Sequence, residues 1–461
     1  MSNTKKTLIF FFILMVTLSV QSQTPIRKVL SLETKAPISG VNIVVVGTDR
    51  GTSTDHQGIF LLSEISDLKS TDTLRFSHVG HETKRVLAKY ILNLISPVFL
   101  RESPEILDEI VLNGEKGRQY KKIPFDEMSP LSSALCCFGA MVTEYGKKIV
   151  LIGGDESYEE DLIKKRLSED PSLSNPVGSL LDIASRPTAN LEWQHFSGDI
   201  YEYNLSSDAW VEIESGIGKR AYHNVLLYKD HIFVIGGKRL AKNQRSEFLA
   251  NDIEILNLET DRVVVDYTNP HQAVNFGSVI YSNNAIIFGG SIKMMTNGKK
   301  KYSDKVHLYS FDSGLWYELN GLSKAKETNG TLIGNKFYTV GGFNGMPLKE
   351  IEAYDLNTEV SIKEAELFEG MERPGITSYN GIIYIMESGK LLTYNTELSI
   401  LKEYTISSMV SSPFLLINKG FLFAIGGSKV TRYSRRPSNK MIRINLKDIE
   451  NTSVIQSRKF K

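Results

Sequence analysis

The chain has 461 residues, 41% hydrophobic and 23% charged, and its 54 Lys and Arg nearly cancel its 53 Asp and Glu. That balance excludes a global field that would select nucleic acid or a membrane surface, and the composition excludes a disordered chain while leaving room for one large and one small domain. The only two cysteines, Cys136 and Cys137, are neighbours, which excludes a disulfide framework; they read as small buried residues of a strand rather than a redox pair.

In chain order, the opening run MSNTKKTLIFFFILMVTLSVQSQ places Lys5 and Lys6 ahead of an apolar stretch from Leu8 to Val20, followed by small polar residues. This pattern predicts a secretory signal peptide over 1–22. The apolar stretch falls short of the about 20 residues that span a bilayer, and no later segment comes close. The expectation is an exported protein of the periplasm, the outer-membrane surface or the exterior, membrane-associated only through partners.

Residues 26–112 alternate in short apolar strands, with Gly47, Gly51 and Gly58 where the chain must turn, which predicts a small β-sandwich. The run Pro37, Gly40, Gly47, Thr48, Thr54, Asp55, Gly58 and Phe60, then the strand from Phe76 to Gly80, resembles the carboxypeptidase regulatory-like domain, a transthyretin-like sandwich. In envelope proteins of the Bacteroidetes type such a domain follows the signal peptide and closes on a run like LDEIVL, here at 107–112. The resemblance implies a Gram-negative envelope protein, though not a TonB-dependent receptor, since no plug or barrel sequence follows. His78 and His81, three apart on an alternating strand, are expected on opposite faces and in structural roles, so no metal is assigned.

From 119 to 461 a repeat takes over. Diglycines at 153, 236, 289, 341 and 426 end the strands IVLIGG, IFVIGG, AIIFGG, FYTVGG and LFAIGG, and IIYIMESG at 382–389 is a degenerate sixth copy with Glu387 and Ser388 in the glycine positions. Downstream markers YNLSSDAW, LNLETDRV, YSFDSGLW, YDLNTEVS, YNTELSIL and INLKDIEN align without gaps. Four strands per unit is the arithmetic of a propeller blade. A strand ending in two glycines, then Tyr, six residues and Trp, as in Tyr203 to Trp210 and Tyr309 to Trp316, resembles the kelch family and implies a six-bladed β-propeller. The fold class is therefore all-β, a six-bladed kelch propeller preceded by a small sandwich. Either 121–130 or 453–460 is placed to complete the final blade, and the sequence does not choose between them.

Each diglycine opens a loop between strands 2 and 3, and these loops emerge around one mouth of the channel, where function is to be sought. The second, third and sixth carry fourteen basic residues against Glu247 and Asp304. From these, Lys238, Arg239, Lys242, Arg245, Lys299, Lys300, Lys301, Arg432, Arg435 and Arg436 are the candidate ligand-binding residues; the bland alternative is Lys-rich solubility. The partner class is an envelope protein or an anionic glycan; nucleic acid is disfavoured, because Tyr302 and Tyr433 are the only aromatics available for stacking. The first blade's loop, 155–197, has helix-like spacing in DESYEEDLIKKRLSED and reads as a helical lid or docking insertion whose acidic start could pair with the basic loops.

Catalytic signals are sparse. Arg220, His223 and Arg373 stand where connections enter inner strands, and a resemblance to six-bladed bacterial sialic acid mutarotases would make them a carboxylate clamp and acid–base group. The Tyr and His ligand set of copper oxidases built on kelch propellers has no match around Cys136 and Cys137. No cofactor motif is present, the diglycines lack a following GK[ST], and non-catalytic recognition is favoured over a carbohydrate-active enzyme.

Overall fold

A computed structural model describes residues 27–460 other than 49, 79–80, 94–96, 103–119, 144–146, 163, 166–190, 215, 245 and 295–298. The signal segment, LDEIVL, Arg245 and most of the first-blade insertion lie outside the described residues. The chain divides into two compact units, Met1–Glu115 and Lys116–Lys461. Among the described residues no helix is long and apolar enough to cross a membrane.

In the first unit, Ile59–Phe60, Arg27–Ser31 and Val98–Leu100 form one sheet, and Gly51–Ser53, Asn42–Val45, Thr73–Ser77 and Lys84–Leu87 form the other. Alternation in the sequence becomes alternation of burial: Ile43 and Val45 point inward with Leu74 and Phe76, and the rings of Phe60 and Phe76 meet edge to face at 5.7 Å. The Thr54-Asp55 pair locks the turn that follows. Buried Thr54 Oγ1 accepts from Val41 N and donates to Ile38 O, while Asp55 Oδ1 accepts from Gln57 N and Ile59 N. The expectation for His78 and His81 is corrected here. The strand stops at Ser77, His81 N donates to His78 O, and the two Nδ1 atoms come within 3.1 Å instead of facing apart.

The second unit is a six-bladed propeller. Its inner strands, Gly139–Thr143, Asn224–Tyr228, Gly277–Tyr281, Gly330–Ile333, Gly375–Tyr379 and Phe414–Asn418, contact one another in succession, and the sixth returns to the first. One hydrophobic core fills each junction between neighbouring blades, including the closing junction of blades six and one. This explains the continuous apolar runs before the diglycines. In His231–Ile235, Ile232 and Val234 pack toward blade one and Phe233 and Ile235 toward blade three, so both strand faces are buried.

Both candidate closing segments are used, in different blades. Asp126–Met128 pairs with Met441–Asn445 as the outer strand of blade six, whereas Gln456–Lys459 pairs with Ile400–Thr405 as a fifth strand on blade five. The Tyr-six-Trp marker is a hairpin: Tyr203 sits opposite Trp210 with ring centres 5.0 Å apart, and Tyr309 opposite Trp316 at 4.8 Å. At the diglycines the backbone turns left-handed against its neighbours. A Cβ on Gly237, at φ 80°, would stand 2.5 Å from Ala221 O, so only glycine fits.

The segments after the diglycines mostly fold into hairpins. Lys238–Leu240 pairs with Glu247–Leu249, and Ser291–Met294 with Lys300–Tyr302. The first-blade insertion begins as a strand rather than a helix: Tyr158–Glu160 pairs with Leu191–Trp193 on one side and with Ser434–Pro437 of blade six on the other. Its described beginning is therefore fixed to the last blade and is no free lid. Among the described residues of the insertion, 162, 164 and 165 are helical.

Candidate functional site at the channel mouth

Two residues before each inner strand, the six blades present Cys137, Tyr222, Asn275, Thr328, Arg373 and Ser412, and all six line one cavity of about 130 Å³. Four of them, Cys137, Tyr222, Asn275 and Ser412, have φ between 50° and 62°. A left-handed backbone costs a non-glycine residue roughly 1–2 kcal/mol, so four such positions at equivalent places are held there by the surrounding bridges. Those bridges tie the connection to the post-diglycine residue of the same blade, Cys136 to Asp155, Ala221 to Lys238, Val274 to Ser291 and Ser411 to Ser428.

Two wider cavities adjoin the ring. One, of about 290 Å³, is lined by Lys238, Lys293, Lys300, Arg373 and Arg435, by the single carboxylate Glu247, and by Tyr222, Phe248 and Asn275. The other, of about 300 Å³, shares Tyr222, Lys238, Glu247 and Arg435 and adds Asp155, Glu159, Glu192, Cys136 and Trp193. The cations converge, but unequally. Lys238 Nζ is 2.7 Å from both carboxylate oxygens of Glu247 and 4.4 Å above the Tyr222 ring, and Lys300 Nζ is 2.8 Å from the fully buried Glu327. Arg373 donates through Nη1 to Asn275 Oδ1 at 2.6 Å. Arg435 makes no ion pair among the described residues although it lines both cavities.

Tyr222 donates to Asp155 Oδ2 at 2.6 Å. Burial, then the nearby Cys137 and Asp155, push its phenol well above the usual range, so it stays a hydrogen-bond donor. Glu387, in the place of a glycine, accepts from Ser412 N at 2.8 Å, and burial raises its carboxyl above the ordinary value. Blade five closes its 2–3 connection with a tight turn, Glu387 opposite Lys390, so the degenerate copy places a carboxyl group against the Ser412 backbone instead of a long loop.

The basic loop residues separate accordingly. Lys238, Lys300 and Arg435 reach the mouth. Arg239 turns inward to Asp252 at 2.7 Å, Arg436 is paired with Glu160, and Lys242, Lys299, Lys301 and Arg432 are exposed on the loops and line neither wide cavity. Of the enzyme-like set, Arg373 and His223 line the channel. Arg220 does not: it is fully buried, with Nη2 3.2 Å from Asp252 Oδ1 and 2.5 Å from Glu254 Oε2, and so belongs to the scaffold. His223 Nε2 lies 3.0 Å from Ile152 O, and burial, with Arg220 nearby, lowers its pKa to about 3. Among the described residues no three His, Cys, Asp or Glu side chains stand together as a metal site.

Reading from the sequence missed Cys137, Asn275, Thr328 and Ser412. The available signal was position, two residues ahead of each inner strand, in LCCFG, AVNFG, ETNGT and VSSPF. Cys137 is also corrected from a buried strand residue to a partly exposed one at the ring, while Cys136 is buried.

Residues 28–112 match the CarboxypepD_reg-like domain family. A segment of 92 residues is 34% identical to the TonB-dependent receptor SusC of Bacteroides thetaiotaomicron, covering 20% of this chain and 8% of that receptor. Among solved structures YjhT superposes with a TM-score of 0.51 over 69% of this chain and 99% of its own, at 11% identity. At that identity the likeness carries the fold and nothing of its chemistry. The N-terminal unit is thus a CarboxypepD_reg-like domain, and it precedes a six-bladed propeller.

Proposed function

We propose that this is an exported envelope protein of the kelch type whose propeller recognises an anionic partner, an envelope protein or an acidic glycan, at the channel mouth without transforming it. The observation that carries this reading is the cavity where Lys238, Lys293, Lys300, Arg373 and Arg435 face one carboxylate, Glu247. In a cleft walled by protein such an excess attracts anions more strongly than the near-neutral chain as a whole would. The SusC-like segment supports the envelope setting.

The carbohydrate-active alternative has less support from the geometry. Arg220 is committed to Asp252 and Glu254, and His223 is buried and held neutral, which leaves Arg373 without an acid–base partner from that set. Unchanged interconversion of sialic acid anomers by NMR is the expected outcome.

The recognition reading is tested by retention on an immobilised acidic glycan and on an envelope fraction. Arg435→Glu is expected to abolish salt-sensitive retention, while Arg436→Glu, which loses the contacts with Glu160 and the Tyr158 ring, retains most of it. Equal retention of wild type and Arg435→Glu on both matrices sinks the proposal.

A further inference from the structure

The chain's only two cysteines both stand at the mouth, Cys137 in the ring and Cys136 in the wall of the adjoining cavity. Their backbone is pinned on both sides. Cys136 N donates to Asp155 O at 3.0 Å, Asp155 N donates to Cys136 O at 2.7 Å, and Tyr222 N donates to Cys137 O at 2.7 Å. Cys136 is 5% exposed, whereas Cys137 is open to the channel. Arg373 lines the same cavity as Cys137, and Arg435 lines the adjoining cavity with Cys136.

Adjacent thiols suggest a bond between them, but the geometry opposes it. Neighbouring Cα atoms across a trans peptide lie about 3.8 Å apart, inside the roughly 4.4–6.8 Å that disulfides ordinarily span. What remains is exchange with an incoming molecule. We propose that Cys137 is a thiol-exchange site for a small disulfide that enters the channel, with the buried Cys136 next to it in the chain. The Cys137 thiolate attacks one sulfur of the incoming disulfide. The S–S bond breaks, a Cys137–sulfur bond forms, and the second half leaves as a thiolate that takes up a proton from solvent. The disulfide is the oxidant, so nothing further is required.

The electrostatics agree with this assignment. The neighbouring Cys136 thiol, helped by Arg373 and Arg435, lowers the Cys137 thiol to about 7, while Cys137 and burial push Cys136 up. A thiol near 7 is largely ready to attack at neutral pH, and one pushed upward is not. The inference is independent of which anion the mouth takes.

Oxidised glutathione is the probe, applied to the full chain and read by intact mass and peptide mapping. One glutathionyl group is expected per chain, on Cys137. Cys137→Ser takes none, Cys136→Ser takes one more slowly, and Arg373→Gln slows the wild-type reaction several-fold. At pH 6 the native chain is expected to react roughly five-fold faster than the same chain unfolded in urea. Its larger thiolate fraction outweighs the lower nucleophilicity of a more acidic thiol. No adduct, an adduct on Cys136, or a native rate at or below the unfolded one overturns the proposal.

Discussion

The second strands of the blades and the ring at the channel mouth occupy equivalent places in all six repeats, yet they obey opposite rules. At the strands the side chains are interchangeable: Ile, Val, Phe and Ala alternate between two blade junctions and are almost all buried. At the ring the six equivalent positions carry a thiol, a phenol, an amide, two hydroxyls and a guanidinium, with no two blades alike except for the hydroxyls. Repetition marks what the fold needs, and its loss marks the positions that the fold leaves to other demands. Under the proposed function the two layers therefore differ in what a substitution disturbs, stability in one and recognition in the other.

The largest effect is expected from breaking the strand layer. Phe337 is fully buried, stacked between Phe288 at 4.2 Å and Tyr354 at 4.6 Å in the core that joins blades three and four. Phe337→Ala removes that ring and leaves a cavity, costing about 3–5 kcal/mol in urea unfolding of the propeller. Ser412→Ala in the ring removes a small hydroxyl from the channel wall and is expected to cost well under half as much. Comparable losses at the two sites would erase the distinction.

A second and smaller effect comes from the histidines beneath the mouth. Burial, then His307, lowers His271 to about 4, and burial, then Arg220, lowers His223 to about 3. Both are held neutral in the folded chain and titrate near 6.5 when unfolded, so the unfolded state binds more protons below that value. Stability contributed by these groups is fully present above about pH 6.5 and is lost as the pH falls toward 4 for His271 and 3 for His223. At pH 5 each removes on the order of 2 kcal/mol relative to pH 7. Urea midpoints measured from pH 7 to pH 5 should fall accordingly, and His271→Gln should flatten the slope whatever it does to the midpoint at pH 7. An unchanged slope would show that His271 is not held neutral by the fold.

The same contrast explains what could be read from the sequence. HIFVIGG disclosed its place because burial on both faces and a left-handed turn against Ala221 O leave few residue types that fit. The sandwich disclosed itself through Asp55, whose hydrogen bonds stay within its own turn, and through Thr54, which ties that turn back to Ile38 and Val41. Closure was not readable, because Asp126–Met128 and Gln456–Lys459 are both short, largely exposed edge strands with nothing in their side chains to say which blade they join. The site was half readable. Basic hairpins announced the mouth, but charge alone did not tell Arg435 from Arg436, since strand alternation and the distant Glu160 decide which is free. His78 and His81 misled for a related reason: the strand that would have separated them ends one residue earlier.

Blade five is where the two layers meet, and it gives the finest test. Ser388 sits at φ 32°, in the position where the other blades place a second glycine, and its N donates to Val410 O as Gly427 N does to Leu135 O. A serine turned toward left-handed backbone is strained, and glycine relieves that strain at the cost of a more flexible unfolded chain. These terms oppose each other at roughly 1–2 and 0.4–1 kcal/mol, so Ser388→Gly should stabilise the propeller by about 0.5–1 kcal/mol. The substitution leaves Glu387 and its bond to Ser412 in place, and retention on the acidic matrix should not change. A gain in stability with unaltered binding would mean that the fold tolerates the lost glycine for the sake of the carboxyl group beside it. A loss of binding would place Ser388 itself among the residues that meet the ligand.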